Sequence, residues 1–374
     1  TISQFPFQKV VFLPWPTRNI YLYTHVKLSS QLPTFNKENH SIVFPPYMAT
    51  NILTMTSHNF ELDCKKIHDS LGGLSQLIPS LASLTLHERQ QLRETYKAVY
   101  GEDLISQLQR YDEDDFSSMK FSTLSLWMLC PHDRDAFVAR EALQQDETNF
   151  KALVEIFVGR KSSHVVLISQ AYQKMFRRVL DQDIMNLDSP HPFQKVLMAL
   201  SASHKAHQVD ISHHISKCDA RRLYETGEGS LGAIDEAVVL EILSKRSIQQ
   251  LKLTFLSYKH IYGHDYTKSI KRGNYGQFGK ALMVVVKCIC NQEHYYAKEL
   301  YACIKREKGD MGTLARTLVS RADIDMDEIK RVFKEKYEKE LGDVICESIP
   351  CGDYRDFLVA LATRSSTPSN IYNN

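Results

Sequence analysis

Apolar and aromatic positions recur along this chain at a helical spacing nested inside a much longer one. Four stretches carry the pattern: LRETYKAVYGEDLISQL, ISQAYQKMFRRVLDQDI, FLSYKHIYGHDYTKSI and KRVFKEKYEKELGDVI. Each has an aromatic first (Tyr96, Tyr172, Tyr258, Phe333) and a second aromatic four residues on (Tyr100, Phe176, Tyr262, Tyr337). Four further on stand Leu104, Leu180, Tyr266 and Leu341, and then Leu108, Ile184, Ile270 and Ile345. Positions i, i+4 and i+8 fall along one helical stripe, with a turn expected at Gly101 and Gly263. The second aromatics lie 76, 86 and 75 residues apart. Arg160, Arg246 and Arg321 each precede the first aromatic by 12 residues, whereas the first copy has Leu84 there. Leu197, Leu282 and Leu358 follow the second aromatic by 21, 20 and 21 residues. The equivalence therefore spans most of each unit, and its residues read as helix core, not as chemistry.

Strand signals are short and weak, and each unit has room for four or five helices joined by short loops. The expected fold is all-α, four repeats packed side by side. The boundaries read as an N-terminal extension at 1–59, repeats at 60–145, 146–203, 218–290 and 291–362, a connector at 204–217 and a loose polar tail at 363–374. The connector stretch SHKAHQVDISHHISK accounts for the longer 86-residue spacing and marks where the molecule divides into halves. Residues 1–47 hold one acidic residue, Glu38, several prolines, and aromatics without helical spacing. No stable fold is expected there. The segment reads either as a flexible tail that recruits a partner or as sequence ahead of a true start at Met48.

Composition narrows the function classes. The 374 residues include 46 basic and 44 acidic side chains, a net charge of +2, so a dedicated nucleic-acid binder is not expected. The longest apolar run, Ala281 to Val286, stops at Lys287, far short of a membrane span, while peripheral membrane contact stays open. The eight cysteines are scattered and read as reduced thiols in helices. Cys288-Ile-Cys290 is half a metal pattern without a second pair, and His213-His214 is taken to have no cysteine close in sequence, so zinc is not expected.

Against this background the longer motifs resemble the annexin family, and specifically plant annexins. The resemblance rests on GAIDEAVVLEILSKRSIQQLKLTFLSYKHIYGHDYTKSI, on GTLARTLVSRADIDMDEIKRVFKEKYEKELGDVI followed by GDYRDFLVALA, and on LRETYKAVYGEDL with LWMLCPHDRDAFVAREAL. It covers roughly residues 60 to 362 and is tightest in the third and fourth units. The family implies four repeats of five α-helices in a slightly curved disc. It also implies calcium-dependent binding of anionic phospholipid through loops on the convex face, and hence a cytoplasmic protein, peripheral at the plasma membrane or endomembranes. Cytoskeletal or self-association partners are further expectations.

Calcium takes six to eight oxygens at about 2.3–2.6 Å. In the family a Gly-containing loop, G-x-G-T, supplies backbone carbonyls, and a carboxylate from a second loop about 40 residues later completes the shell. The open positions accept lipid phosphate oxygens. In the fourth unit the expected ligands are Lys308, Gly309, Asp310 and Gly312 in the first loop and Asp353, 41 residues after Gly312, in the second. A helix-capping turn with Asp353 as its N-cap is the competing reading. The third unit has Gly232-Ala233-Ile234-Asp235-Glu236, but Gln277 stands where the carboxylate should be. The second has Gly159-Arg160-Lys161 near the loop and Pro192 at the acidic position. The first has Gly72-Gly73 with Asp114 and Asp115 as acidic candidates and Pro79 disturbing the loop. One bridge gives weaker attachment than several. Lys268, Lys271, Arg272, Lys305, Arg306 and Lys308 are expected near the bilayer, where they would add attraction to anionic lipid.

No enzyme is expected. Gly273 to Lys280 lacks the Gly spacing, the Ser/Thr and the preceding strand of a phosphate-binding loop. A peroxidase reading, which the plant resemblance raises, would use Cys64 and His68, but a lone His near a helix reads as structural. The leading reading is therefore a calcium-dependent phospholipid-binding protein with few intact sites. The alternative is a calcium-independent membrane or protein scaffold on the same fold; a peroxidase-like or nucleotide-hydrolysing enzyme ranks below both.

Overall fold

The computed structural model describes residues 34–36, 41–43, 59–71, 77–110, 115–145, 148–187, 192–202, 211–229, 234–273, 275–305 and 310–364. The chain divides into two units, 1–58 and 59–374. Within the first, β1 (Thr34–Asn36) and β2 (Ser41–Val43) pair antiparallel with Phe35 opposite Ile42. A ladder of two three-residue strands is marginal by itself. The other residues of that unit, Met48 included, lie outside the described residues.

The second unit is a fourfold repetition of five helices. The first set is α1 (Phe60–Asp69), α2 (Ile78–Ser83), α3 (Leu86–Tyr100), α4 (Leu104–Arg110) and α5 (Asp115–Met128). The second is α6 (Pro131–Gln144), α7 (Phe150–Val158), α8 (Ser162–Phe176), α9 (Leu180–Met185) and α10 (Pro192–Ser201). The third is α11 (His213–Glu225), α12 (Glu236–Lys245), α13 (Ile248–Tyr262), α14 (Tyr266–Gly273) and α15 (Gly276–Cys290). The fourth is α16 (Gln292–Lys305), α17 (Met311–Arg321), α18 (Met326–Tyr337), α19 (Leu341–Ser348) and α20 (Asp353–Thr363). In every set the first helix packs on the third.

That packing moves two boundaries. Helix α6 opens the second repeat because it packs on α8, so the first repeat ends near Cys130 and not at 145. The connector ends at Ser212, which caps α11 by accepting from Ile215 N at 3.3 Å and is held by Gln250 through two hydrogen bonds, at 2.8 and 3.0 Å. The expected division into halves at 203–217 is not observed. Helices α7 and α10 of the second repeat pack on α15 of the third, while α2 and α5 of the first pack on α20 and α17 of the fourth. The pairs are thus second with third and first with fourth. Leu197, Leu200, Leu282 and Val285 are fully buried in the former, and Leu358 is fully buried on α20 in the latter.

The aromatic stripe is core, as its period requires. Tyr96, Tyr172, Tyr258 and Phe333 have 0% exposure, and the residues eight and twelve further on are buried in every copy. The second aromatic ends the third helix and lies on the first helix of its own repeat: Tyr100 stacks on His68 at 4.0 Å, Tyr262 on Tyr224 at 4.0 Å and Tyr337 on Tyr301 at 3.8 Å. In the second repeat Phe176 meets Phe137 at 6.5 Å and the Arg140 guanidinium instead.

The break after the second aromatic occurs in all four copies. The residue there is left-handed: Gly101 (φ 78°) and Gly263 (φ 73°), but also Arg177 (φ 56°) and Glu338 (φ 59°). A left-handed L-residue carries a steric cost of about 1–2 kcal/mol, part of which glycine's freedom in the unfolded chain would return. Glu338→Gly is accordingly expected to stabilise the protein by about 0.5–1 kcal/mol, read as a higher urea midpoint with unchanged slope. The opposite change, Gly263→Glu, is expected to lower the midpoint.

The arginine that precedes each aromatic is an ion-pair partner, buried at Arg321 and half-buried at Arg160 and Arg246. Arg160 donates to Asp135 at 2.5 and 3.1 Å, Arg246 to Asp219 at 2.7 and 3.1 Å, and Arg321 Nε to Asp325 at 2.7 Å. The first repeat, with Leu84 in that place, uses Arg89 instead. Its guanidinium is fully buried 3.6 Å above the Trp127 ring, and it donates to Leu84 O and to Asp323 of the fourth repeat. At the start of the expected loose tail, Arg364 is tied down by Ala82 O at 2.6 Å and lies 5.3 Å from the centre of the Trp127 ring. Residues 365–374 lie outside the described residues.

Candidate functional site

Each repeat from the second onward closes the connection between its first two helices in one way. A backbone N–H at the return point donates back to a carbonyl of the first helix or its cap: Asn149 to Ala142 at 2.9 Å, Asp235 to Thr226 at 2.9 Å, and Asp310 to Cys303 at 3.0 Å. The same three residues cap the second helix. Asn149 Oδ1 accepts from Ala152 N at 3.1 Å, Asp235 Oδ1 from Ala237 N at 3.0 Å, and Asp310 Oδ1 from Thr313 N at 3.0 Å. Asp310 is therefore the loop-closing cap of α17, the position that Asn149 and Asp235 hold in their repeats.

Of the five residues expected around calcium, Lys308 and Gly309 lie outside the described residues. Gly312 lies in the first turn of α17, where its carbonyl belongs to the helix and is not offered to a metal. Asp353 is the first residue of α20, behind Gly352, whose φ of 154° and ψ of 173° fall in a region open essentially to glycine. Its carboxylate sits on the positive end of the helix dipole, where an anion is favoured.

Helix α16 packs on α19, and Lys305 Nζ donates to Ser348 Oγ at 3.3 Å, so the entries to 306–309 and to 349–352 lie side by side. Asp310, Gly312 and Thr313 from the end of the first loop line one cavity of about 310 Å³ together with Tyr354, the neighbour of Asp353.

The second and third repeats have no carboxylate at the position of Asp353. In the third, Gly232 and Ala233 lie outside the described residues, Asp235 caps α12, and Gln277 is the second residue of α15, where a neutral amide replaces a carboxylate. In the second, Pro192 begins α10 at the place of Asp353 in α20, and Gly159–Lys161 joins α7 to α8 and not the first helix to the second. The corresponding loop is 145–149. In the first, Gly72, Gly73 and Asp114 lie outside the described residues, Asp115 begins α5, and Pro79 sits in the first turn of α2.

Glu228, which sequence reading passed over, organises the third repeat. Its carboxylate accepts from Ser269 Oγ at 2.6 Å and Arg272 at 3.0 Å, and lies 2.8 Å from His264 Nε2. This ties the chain after α11 to the end of α14, just ahead of Gln277. The Ser269 hydrogen bond first, then His264 and Arg272, hold its pKa down to about 2 against desolvation. A depressed carboxyl pKa stabilises the fold above its unfolded value and loses that contribution as pH falls toward the folded one. Glu228→Gln is thus expected to cost about 1–2 kcal/mol at pH 7. The difference from the unchanged chain should shrink between about pH 4.5 and pH 2, measured by urea unfolding. Arg272 is committed to this cluster, whereas Lys268 and Lys271 are exposed on α14; Arg306 lies outside the described residues.

The residues of the peroxidase reading are structural. Cys64 has 0% exposure, and burial, then the charges of Asp63 and Glu61, push its thiol up to about 11. His68 Nδ1 bonds the Tyr96 hydroxyl at 2.8 Å. Gly279 and Lys280 are interior to α15, a helix that follows another helix and not a strand. His214, contrary to expectation, has a cysteine four residues on, with Nε2 3.6 Å from Cys218 Sγ.

Comparison with known proteins agrees with this architecture. The sequence profile described as Annexin matches residues 134–200, 218–285 and 295–361, the second, third and fourth repeats. Annexin A13 of Mus musculus is 33% identical over 310 residues, which cover 81% of this chain and 96% of that protein. Annexin A4 of Mus musculus is 34% identical over 303 residues, covering 80% and 93%. The solved structure of annexin III superposes with a TM-score of 0.73 at 30% identity, covering 82% of this chain and 94% of that one. These relatives do not support the plant subtype: the curated proteins are animal annexins. The chain belongs to the annexin family.

Proposed function

We propose that this annexin is a calcium-dependent phospholipid-binding protein whose principal calcium site lies in the fourth repeat. The observation that carries the reading is that α16 and α19 meet through the Lys305–Ser348 contact and that Asp310 and Tyr354, the neighbour of Asp353, line one cavity. Carbonyls of Lys308 and Gly309 and the carboxylate of Asp353 would hold the ion, while Asp310 closes the loop and Gly312 lies in the first turn of α17. Calcium supplies a positive charge with oxygen positions to spare, and anionic lipid phosphates fill them. Among the described residues, no helix is long and apolar enough to cross a membrane, so attachment is through this surface. Gln277 and Pro192 at the matching places make the second and third repeats poor contributors, so the avidity of several bridges is reduced. The role is that of a binding protein, not an enzyme, peripheral at membranes facing the cytoplasm.

The test is a chelator chase. The full chain is bound to phosphatidylserine vesicles in calcium, with phosphatidylcholine vesicles as the uncharged comparison, and chelator is then added. Release from phosphatidylserine on chelation supports the proposal. Retention would favour the calcium-independent scaffold.

A further inference from the structure

We propose that Cys130, His132 and Asp133 form a second, chemically different metal site, one for a thiophilic first-row divalent ion such as zinc, at the junction of the first and second repeats. Cys130 leaves α5 and stands at the N-cap of α6 with extended backbone (φ −66°, ψ 154°), and its side chain makes no capping hydrogen bond. Pro131 opens the helix behind it, so the next two side chains turn back over the cap. Three ligand atoms converge there. Cys130 Sγ donates to Asp133 Oδ2 at 2.9 Å and lies 3.9 Å from His132 Nε2, which is 3.7 Å from Asp133 Oδ1. Within the described residues, these are the three side chains whose potential ligand atoms all fall within 4.8 Å of one another.

The distances fit a tetrahedral ion. Bonds of about 2.3 Å to sulfur and about 2.0–2.2 Å to nitrogen and oxygen place ligand atoms roughly 3.3–3.6 Å apart. The observed separations bracket that range, so side-chain rotation of a few tenths of an ångström closes the shell. Thiolate and carboxylate together match the charge of a divalent ion, with imidazole neutral. His132 and Asp133 are 37% and 28% exposed, which leaves an open side for water in the fourth position. Sulfur and imidazole favour zinc over calcium, which prefers oxygen. The site is also remote from the calcium loops. Helix α6 separates it from Gln145, which lines the Asp310 cavity, by 14 residues, or about 20 Å at 1.5 Å per residue.

Binding would cross-link the exit of α5 to the first turn of α6 and so stiffen the joint between two repeats. It would also release a proton. Cys130 Sγ carries the proton it donates to Asp133, and a thiol ligates as thiolate, so the ion must displace that proton and affinity rises with pH.

The experiment titrates the chelator-stripped full chain with cobalt(II), followed by absorption, and then adds zinc. The proposal expects one equivalent of cobalt with a thiolate-to-cobalt charge-transfer band that zinc abolishes. Cys130→Ser should remove the band and weaken zinc binding by at least about 100-fold, since even outer-shell changes cost 10–100-fold. His132→Ala should weaken binding at least about 10-fold, with helical circular dichroism unchanged in both. Cys218→Ser, which removes the other His–Cys pair, and Asp353→Ala should leave the band intact. No band in the unchanged chain, a band that survives Cys130→Ser, or one that disappears with Cys218→Ser would each overturn the assignment.

Discussion

Asp353→Ala is expected to raise the calcium needed for half-maximal binding to phosphatidylserine vesicles at least about 10-fold, because the charge of the ligand set dominates calcium affinity. The change removes the carboxylate that the proposed site assigns to the ion. Asp353→Asn keeps an oxygen but not the charge and should fall between the two. The fold should survive: Asp353 begins α20 at its exposed end, so losing its favourable interaction with the helix dipole costs about 0.5–1 kcal/mol. Because Gln277 and Pro192 replace the carboxylate in the third and second repeats, those repeats cannot mask the loss. Sedimentation across a calcium series gives the shift, and an unshifted midpoint would place the site elsewhere.

Asp135→Ala is expected to have the largest effect on stability, a loss of about 3–5 kcal/mol, because it strands buried positive charge. Asp135 is 3% exposed, on α6. It pairs with Arg160 at 2.5 Å and faces His164 at 3.6 Å, and the buried Arg134 guanidinium beside it donates to Val319 O of the fourth repeat at 3.1 Å. A second carboxylate, Glu155 on α7, binds Arg316 and accepts from the Tyr295 hydroxyl at 2.8 Å, so the charges of the second and fourth repeats meet in one low-dielectric region. Burial alone would raise the Asp135 pKa, but the charge and hydrogen bonds of Arg160, with His164 nearby and the charge of Arg134, hold it well below the ordinary carboxylate range. The sign follows. The group stabilises the fold above its unfolded value near 3.9 and loses that contribution as pH falls further. Urea unfolding should show the full gap at pH 7 and a narrowing gap below about pH 4.

How far the sequence alone reaches is visible in these same residues. The i, i+4, i+8 stripe gave a buried helical core in every repeat, because helix periodicity is local and core positions obey it, whereas the break was expected only at Gly101 and Gly263 and not at Arg177 or Glu338. The arginines twelve residues upstream were visible as a repeat, but their partners were not: Asp135 is 25 residues from Arg160, and Asp323 is 234 residues from Arg89. Tertiary pairing has no short-range signal. The pairing of the first repeat with the fourth was hidden for the same reason, and the polar 203–217 stretch suggested a division where helices in fact pack across it. At the candidate site, spacing put Asp353 on the second loop of the fourth repeat, and the structure has it as the first residue of α20. Asp310 and Gly312 were read as ligands because a capping turn and a carbonyl-donating loop share residue types, and only the hydrogen bond from Thr313 N and the start of α17 separate them. Glu228 gave no signal, since its partners Ser269 and Arg272 lie some 40 residues away on another helix.

The most direct measurement of the central claim is a calcium titration of the full, unmutated chain against phosphatidylserine vesicles, scored by the fraction pelleted. The account predicts that the protein stays in the supernatant in chelator and moves to the pellet as calcium rises. Equal pelleting with and without calcium would contradict it.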